Sequence, residues 1–274
     1  MRFNVSETPV LPLETLLIYL AVGAFAGTLA GLFGVGGGLV IVPVLVFVFK
    51  GQGISEAVIM HLAVGTSLAT IVFTAISSVR AHHQRGAVRW DAMRQLAPGI
   101  VVGALVGAVI ADAMPTPVLR VFFAVFELTV AALLWWNRQP AAHRGLPGTV
   151  GMSAAGGVIG AVSSIVGIGG GTLTVPFLAW CNVQLRAAVA TSSACGLPIA
   201  IAGAAGFLIM GWKEPQLPAL ASGYIYWPAF AGIGVASVLF APLGAKLAHA
   251  LPVATLRKFF ALFLAVLGVR MLLY

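Results

Sequence analysis

Apolar runs separated by short polar stretches recur along the whole chain. They fall roughly at Thr15–Phe33, Leu39–Phe49, Ala57–Val79, Ala92–Ala111, Val118–Trp136, Val150–Val166, Thr172–Cys181, Ala187–Met210, Tyr224–Leu247 and Ala254–Leu273. About 20 apolar residues carry a helix through a bilayer core. Most of these runs meet that length. Leu39–Phe49 and Thr172–Cys181 do not, and each directly follows a cluster of glycines.

The order long, short, long, long, long occurs twice, which points to an internal repeat. Gly34-Val35-Gly36-Gly37-Gly38, with Pro43 beyond, matches Gly167-Ile168-Gly169-Gly170-Gly171 and Pro176. Thr66-Ser67 matches Thr191-Ser192 further along. Met114-Pro115, Leu119-Arg120 and Phe122-Phe123 match Leu251-Pro252, Leu256-Arg257 and Phe259-Phe260. Three blocks in the same order indicate a duplication. The chain divides into a first transmembrane repeat (1–137), a cytoplasmic linker (138–149) and a second repeat (150–274).

Loop charges set the orientation, because Lys and Arg favour the cytoplasmic side. The stretch Arg80–Arg94 holds four arginines and one acid and is placed in the cytoplasm, as is the linker with Arg138, His143 and Arg144. The turn Asp112–Pro117 then faces outside. In the second half the turn flanked by Lys246, Arg257 and Lys258 reads as cytoplasmic, and the nearly neutral Trp212-Lys213-Glu214-Pro215 loop as external. Corresponding loops thus lie on opposite sides, the mark of an inverted repeat. The expected fold is an all-α polytopic membrane protein. Each half has a glycine-broken helix hairpin plus three membrane-spanning helices, and both termini are periplasmic.

Composition agrees with this pattern. The 274 residues are 60% hydrophobic and 8% charged, whereas soluble domains carry about 25% charge. A soluble domain on an anchor is excluded, since no polar stretch is long enough to fold alone. The net charge of +8 resides at helix ends and short loops, so nucleic acid is not an expected partner. The Arg80–Arg94 run is free to touch anionic lipid heads. Glu7, Pro9, Pro12 and Glu14 argue against a cleaved signal peptide, and the N-terminus reads as a short tail. Cys181 and Cys195 lack metal-ligand spacing and show no disulfide framework.

Non-helical backbone within a bilayer is tolerated only where protein buries it or it lines a watery cavity. Consecutive glycines break a helix and permit positive φ and close approach. The helix that follows presents unpaired N–H groups and the positive end of its dipole, which together form an anion site. The competing reading is close helix packing, which suits Gly23/Gly27/Gly31 and Gly103/Gly107 better. Candidate substrate contacts are Gly34, Gly36, Gly37, Gly38, Gly167, Gly169, Gly170 and Gly171. With them stand the hydroxyls of Thr66, Ser67, Ser163, Ser164, Thr191, Ser192 and Ser193. Ser/Thr hydroxyls on membrane helices also bond back to the preceding turn, and that alternative stays open. Pro198 marks a kink.

An ionisable residue at membrane depth is a functional candidate. Glu127 sits mid-segment, with Leu264 as its counterpart. It is a candidate for carrying a coupling proton, for pairing with an arginine or for joining the halves. His61 reads as interfacial rather than as a proton relay, and Cys195 as packing or cavity lining. No HExxH, GxSxG, Walker motif or paired intramembrane carboxylates are present. No catalytic residue, metal site or cofactor is expected.

The two breaks, each followed by a Thr-Ser pair, resemble those of the sulfite exporter TauE/SafE family of membrane permeases. The Leu-Pro…Leu-Arg…Phe-Phe block and the duplicated layout extend the resemblance over nearly the whole chain. It implies about eight transmembrane helices in the bacterial inner membrane and movement of sulfite, sulfoacetate or related organosulfur anions. It also implies that both glycine clusters and both Thr-Ser pairs line the transport site. The first half is eight residues longer between its proline and its Thr-Ser pair, a departure from strict symmetry. The expected function is secondary transport of a small anion by alternating access. An anion channel or a non-transport membrane assembly subunit is the alternative. The expected partners are the anion and the bilayer, and a homodimer is compatible with both.

Overall fold

A computed structural model describes residues 13–33, 37–136, 145–250 and 253–273. Ten helices follow in order: α1 (Leu13–Phe33), α2 (Gly38–Gly51), α3 (Ile59–His83), α4 (Trp90–Asp112), α5 (Thr116–Trp136), α6 (Thr149–Val166), α7 (Gly171–Trp180), α8 (Leu185–Met210), α9 (Trp227–Ala250) and α10 (Val253–Leu273). The apolar runs located them to within a few residues. Gly34, Gly36, Arg138, His143, Arg144 and the Leu251-Pro252 pair lie outside the described residues.

Seven described helices are long and apolar enough to cross a bilayer. The 14-residue α2 and the 10-residue α7 are too short, as their sequences indicate. α10 is 21 residues long and carries Arg257, Lys258 and Arg270. Exposed aliphatic rows mark surfaces that a bilayer would cover: Val102, Val106 and Val109 on α4, and Val118, Val121 and Val125 on α5. Their three- and four-residue spacing is one helix face. The chain is therefore an all-α, multi-pass membrane protein.

The helices pair in a pattern that exchanging the halves leaves unchanged. α1 packs on α9 and α4 on α6, while α3 meets α8 and α5 meets α10. α3 lies at the centre, with 83% of its apolar window buried against 28% for α5. Glycines set the closest approaches. A Cβ on Gly23 would lie 2.4 Å from the Ile233 carbonyl oxygen, and one on Gly27 2.4 Å from that of Ser237. On α4, the same addition at Gly103 would fall 2.0 Å from the Gly157 oxygen and at Gly107 2.4 Å from that of Ala161. These four glycines thus carry the packing expected of them. Gly103→Val is expected to destabilise the protein by about 1–3 kcal/mol through overpacking. A lowered unfolding midpoint in detergent would register it, and an unchanged midpoint would count against rigid α4–α6 contact.

Loops gather at two ends. At one, the Gln52 side-chain amide donates to the Tyr19 hydroxyl (3.1 Å) and the Ser55 hydroxyl to Gln216 Oε1 (2.7 Å). The Tyr224 hydroxyl donates to Asp112 Oδ1 there (3.0 Å). The Asp112–Pro117 turn and the Trp212–Pro215 loop therefore share an end. At the other, the Trp90 indole donates to His83 Nδ1 (3.3 Å) and the Ser153 hydroxyl to the Gln95 carbonyl (3.0 Å).

One element was not foreseen. Tyr224 was expected to begin the ninth helix; instead β1 (Ala221–Ser222) and β2 (Ile225–Tyr226) form an antiparallel hairpin, and the helix starts at Trp227. Gly223, at φ 51°, supplies the left-handed turn.

Candidate functional site

The second break follows from local chain chemistry. α6 ends in a Schellman arrangement: Gly167 takes φ 76°, its N–H donates to the Ser164 carbonyl (3.2 Å), and the Ile168 N–H donates to that of Ser163 (3.0 Å). Glycine adopts that left-handed geometry without a Cβ penalty. α7 starts after Gly170, so its first amides lack intrahelical acceptors. At the first break Gly37 likewise takes φ 76°, and its carbonyl accepts from Val40 (3.0 Å) and Ile41 (3.1 Å) at the start of α2.

The two breaks touch. A Cβ on Gly38 would lie 2.3 Å from the Gly167 carbonyl oxygen and 2.8 Å from the Ile168 Cα. The Ser67 hydroxyl donates to that same Gly167 oxygen (2.8 Å). Residues a hundred or more positions apart therefore hold both breaks against α3.

A cavity of about 20 Å³ lies beside the second break. It is lined by Gly169, Gly170, Ser192, Ser193, Gly196, Thr74 and Ser78, with apolar walls from Ala30, Ile71 and Ala75. Its size suits about one water. The Ser192 and Ser193 hydroxyls bond back to the Val189 carbonyl (2.8 and 3.1 Å). The buried Ser78 hydroxyl has no hydrogen-bond partner among the described residues. Ser163, Ser164, Thr172 and Thr174, flanking the break, also have buried hydroxyl oxygens without partners among the described residues. Unpaired buried polar atoms are costly and uncommon. At the matched positions of the first break stand Ala30, Gly31, Leu39 and Ile41, so the second break is the polar one.

Thr74, Ser78, Thr172 and Thr174 had not been singled out from sequence. Thr172-x-Thr174 beside the glycines was a usable signal. Thr74 and Ser78 had none, since only the α3–α8 contact brings them to the cavity. Thr66 and Thr191 stand apart from the cavity lining, each accepting a backbone N–H from the opposite half. Cys195 is fully buried and packs beside the cavity without lining it.

Two other candidates resolve differently. Glu127 is completely buried, and neither carboxyl oxygen has a hydrogen-bond partner among the described residues. His61, in the first turn of α3 and at the end shared by the Asp112 turn, is 96% buried, its Nε2–H directed at the Ala111 (3.0 Å) and Met114 (3.1 Å) carbonyls. It caps the end of α4, a helix C-terminus favourable to a histidine donor. Beside it opens a pocket of about 320 Å³ lined by Asp112, Glu214, Gln216 and Tyr224. Burial, and then the Asp112 carboxylate, raise the Tyr224 hydroxyl above its ordinary range and keep it a donor.

Comparison with known proteins extends these observations. The family model described as Sulfite exporter TauE/SafE matches residues 19–271. A probable membrane transporter protein of Haemophilus influenzae is 41% identical over 94% of this chain and 98% of its own length. One of Methanocaldococcus jannaschii is 28% identical over 93% and 95% respectively. No solved structure matches. With its multi-pass helices and a family match covering nearly its whole length, the chain belongs to the sulfite exporter TauE/SafE family and is a membrane transporter, not an enzyme.

Proposed function

We propose that the chain is a secondary transporter for a small anion, sulfite or an organosulfonate such as sulfoacetate, working by alternating access. The observation that carries this reading is the cavity at the second break. It joins the positive end of α7 to hydroxyls of Ser78, Ser192 and Ser193, with no lysine or arginine in its lining among the described residues. Helix-end amides and hydroxyls suit an anion. A seat of neutral donors leaves the anion's charge uncompensated, so transport moves net charge. A negative-inside membrane then favours exit by about 2.3 kcal/mol per charge per 100 mV.

In this reading the two halves form an inverted repeat, residues 1–137 and 150–274, joined by a cytoplasmic linker. α1–α2 and α6–α7 are hairpins that enter the membrane and return. The membrane is the bacterial inner membrane, with both termini periplasmic. The self-consistent pairing of α1–α9 with α4–α6, and the separation of loops to two ends, support this arrangement. Gly37 and Gly38 of the first half, and Gly167, Gly171, Ser163 and Ser164 of the second, are the proposed further contacts once the walls part.

Glu127 is the proposed carrier of a coupling proton that moves opposite to the anion, so that net charge still crosses, as a buried carboxyl is kept at membrane depth for function more than for stability. Glu127→Gln is expected to remove acceleration of transport by a pH gradient in proteoliposomes. Acceleration that persists in the variant would rule Glu127 out. The whole reading is tested by flux of radiolabelled sulfite and sulfoacetate through the purified chain in liposomes. If neither moves nor binds, the anion assignment fails.

A further inference from the structure

The small cavity cannot admit an anion unless its walls part, and two hydrogen bonds tie α3 and α8, the helices that supply most of those walls, in related ways. The Tyr226 N–H donates to Thr66 Oγ1 at 2.9 Å. The Arg89 N–H donates to Thr191 Oγ1, also at 2.9 Å. Both threonines are completely buried. Thr66 and Thr191 occupy matched places, each first in its Thr-Ser pair. The donors are matched as well: Arg89 immediately precedes α4 at Trp90, and Tyr226 immediately precedes α9 at Trp227. Trp90 and Trp227 are separated along the chain by the same interval as Arg120 and Arg257 in the repeat.

Each bond therefore crosses between halves, from the last residue of one half's loop to the threonine of the other. They lie at opposite ends of the bundle. Tyr226 belongs to the end shared by Asp112 and Gln216, Arg89 to the end shared by His83 and Gln95. The approach at the first end is built for closeness, since a Cβ on Gly65 would lie 2.2 Å from the Tyr224 carbonyl oxygen. At the second, Thr191 directly precedes Ser192 and Ser193 of the cavity wall.

We propose that Thr66 and Thr191 are the gate-positioning residues of the transport cycle, each fastening one loop across the cavity's access to its own side, with only one fastening released at a time. A single neutral hydrogen bond contributes about 0.5–1.5 kcal/mol, enough to bias a two-state equilibrium by several-fold and weak enough to open in each cycle. This inference rests on the alternating-access reading above. It does not depend on which anion is carried.

The test uses the full chain with Cys181 and Cys195 replaced by alanine. Two cysteine pairs are made separately: Thr66→Cys with Tyr226→Cys, and Thr191→Cys with Arg89→Cys. Each oxidised pair is expected to lower sulfite flux at least tenfold, with recovery on reduction. A static brace would tolerate being locked, so unchanged flux in a chain shown by mass to be bridged overturns the proposal.

A second measurement needs no substrate. With Ser78→Cys as reporter, an impermeant maleimide is applied to the Arg89 face in inside-out vesicles. Thr191→Val is expected to raise labelling several-fold and Thr66→Val to lower it. Changes of the same sign, or none, overturn the gate. If the chain with both threonines intact moves no sulfite, the anion reading fails, while the labelling still decides the gate.

Discussion

Gly38→Ala is expected to abolish most transport while leaving the membrane-inserted chain recognisably folded. The added Cβ would fall 2.3 Å from the Gly167 carbonyl oxygen. No flexible side chain can yield there, because the obstacle is backbone that is itself bound by Ser67. Overpacking of this kind costs about 3 kcal/mol. If that strain is relieved by separating the breaks, the loss in rate is roughly a hundredfold. Flux in proteoliposomes and the unfolding midpoint, followed by tryptophan fluorescence, measure the two consequences together. A variant with ordinary flux would show that the contact of the breaks is dispensable.

The triple variant Ser78→Ala/Ser192→Ala/Ser193→Ala is expected to separate binding from stability. Ser78 has no partner among the described residues, and Ser192 and Ser193 bond only back along their own helix. Removing an unpaired buried hydroxyl is neutral or stabilising, while each ligand bond lost costs about 0.5–1.5 kcal/mol. The unfolding midpoint should hold or rise, and the KM for the anion should rise by roughly a hundredfold, about 1 kcal/mol for each of the three bonds. If instead the midpoint falls and KM is unchanged, these hydroxyls serve the fold alone.

The helices were legible because crossing a bilayer imposes a long apolar run, which local sequence displays directly. Leu39–Phe49 and Thr172–Cys181 were recognisable as truncated for the same reason. The 221–226 hairpin was not, since Ile225 and Tyr226 continue the apolar character of α9 and nothing local separates the two. The glycine clusters announced a break, and the repeat identified Thr66 and Thr191 as important. What they touch was hidden, because their partners lie in the opposite half. The asymmetry of polarity was readable in Thr172 and Thr174 against Leu39 and Ile41.

In the proposed mechanism a small anion crosses through the second break carrying its charge. The most direct measurement is sulfite efflux from proteoliposomes under an imposed potassium diffusion potential. Efflux is expected to exceed that of protein-free vesicles, to be accelerated by an inside-negative potential and to be suppressed by Gly38→Ala. Efflux no faster than from protein-free vesicles, or efflux indifferent to the potential, would contradict it.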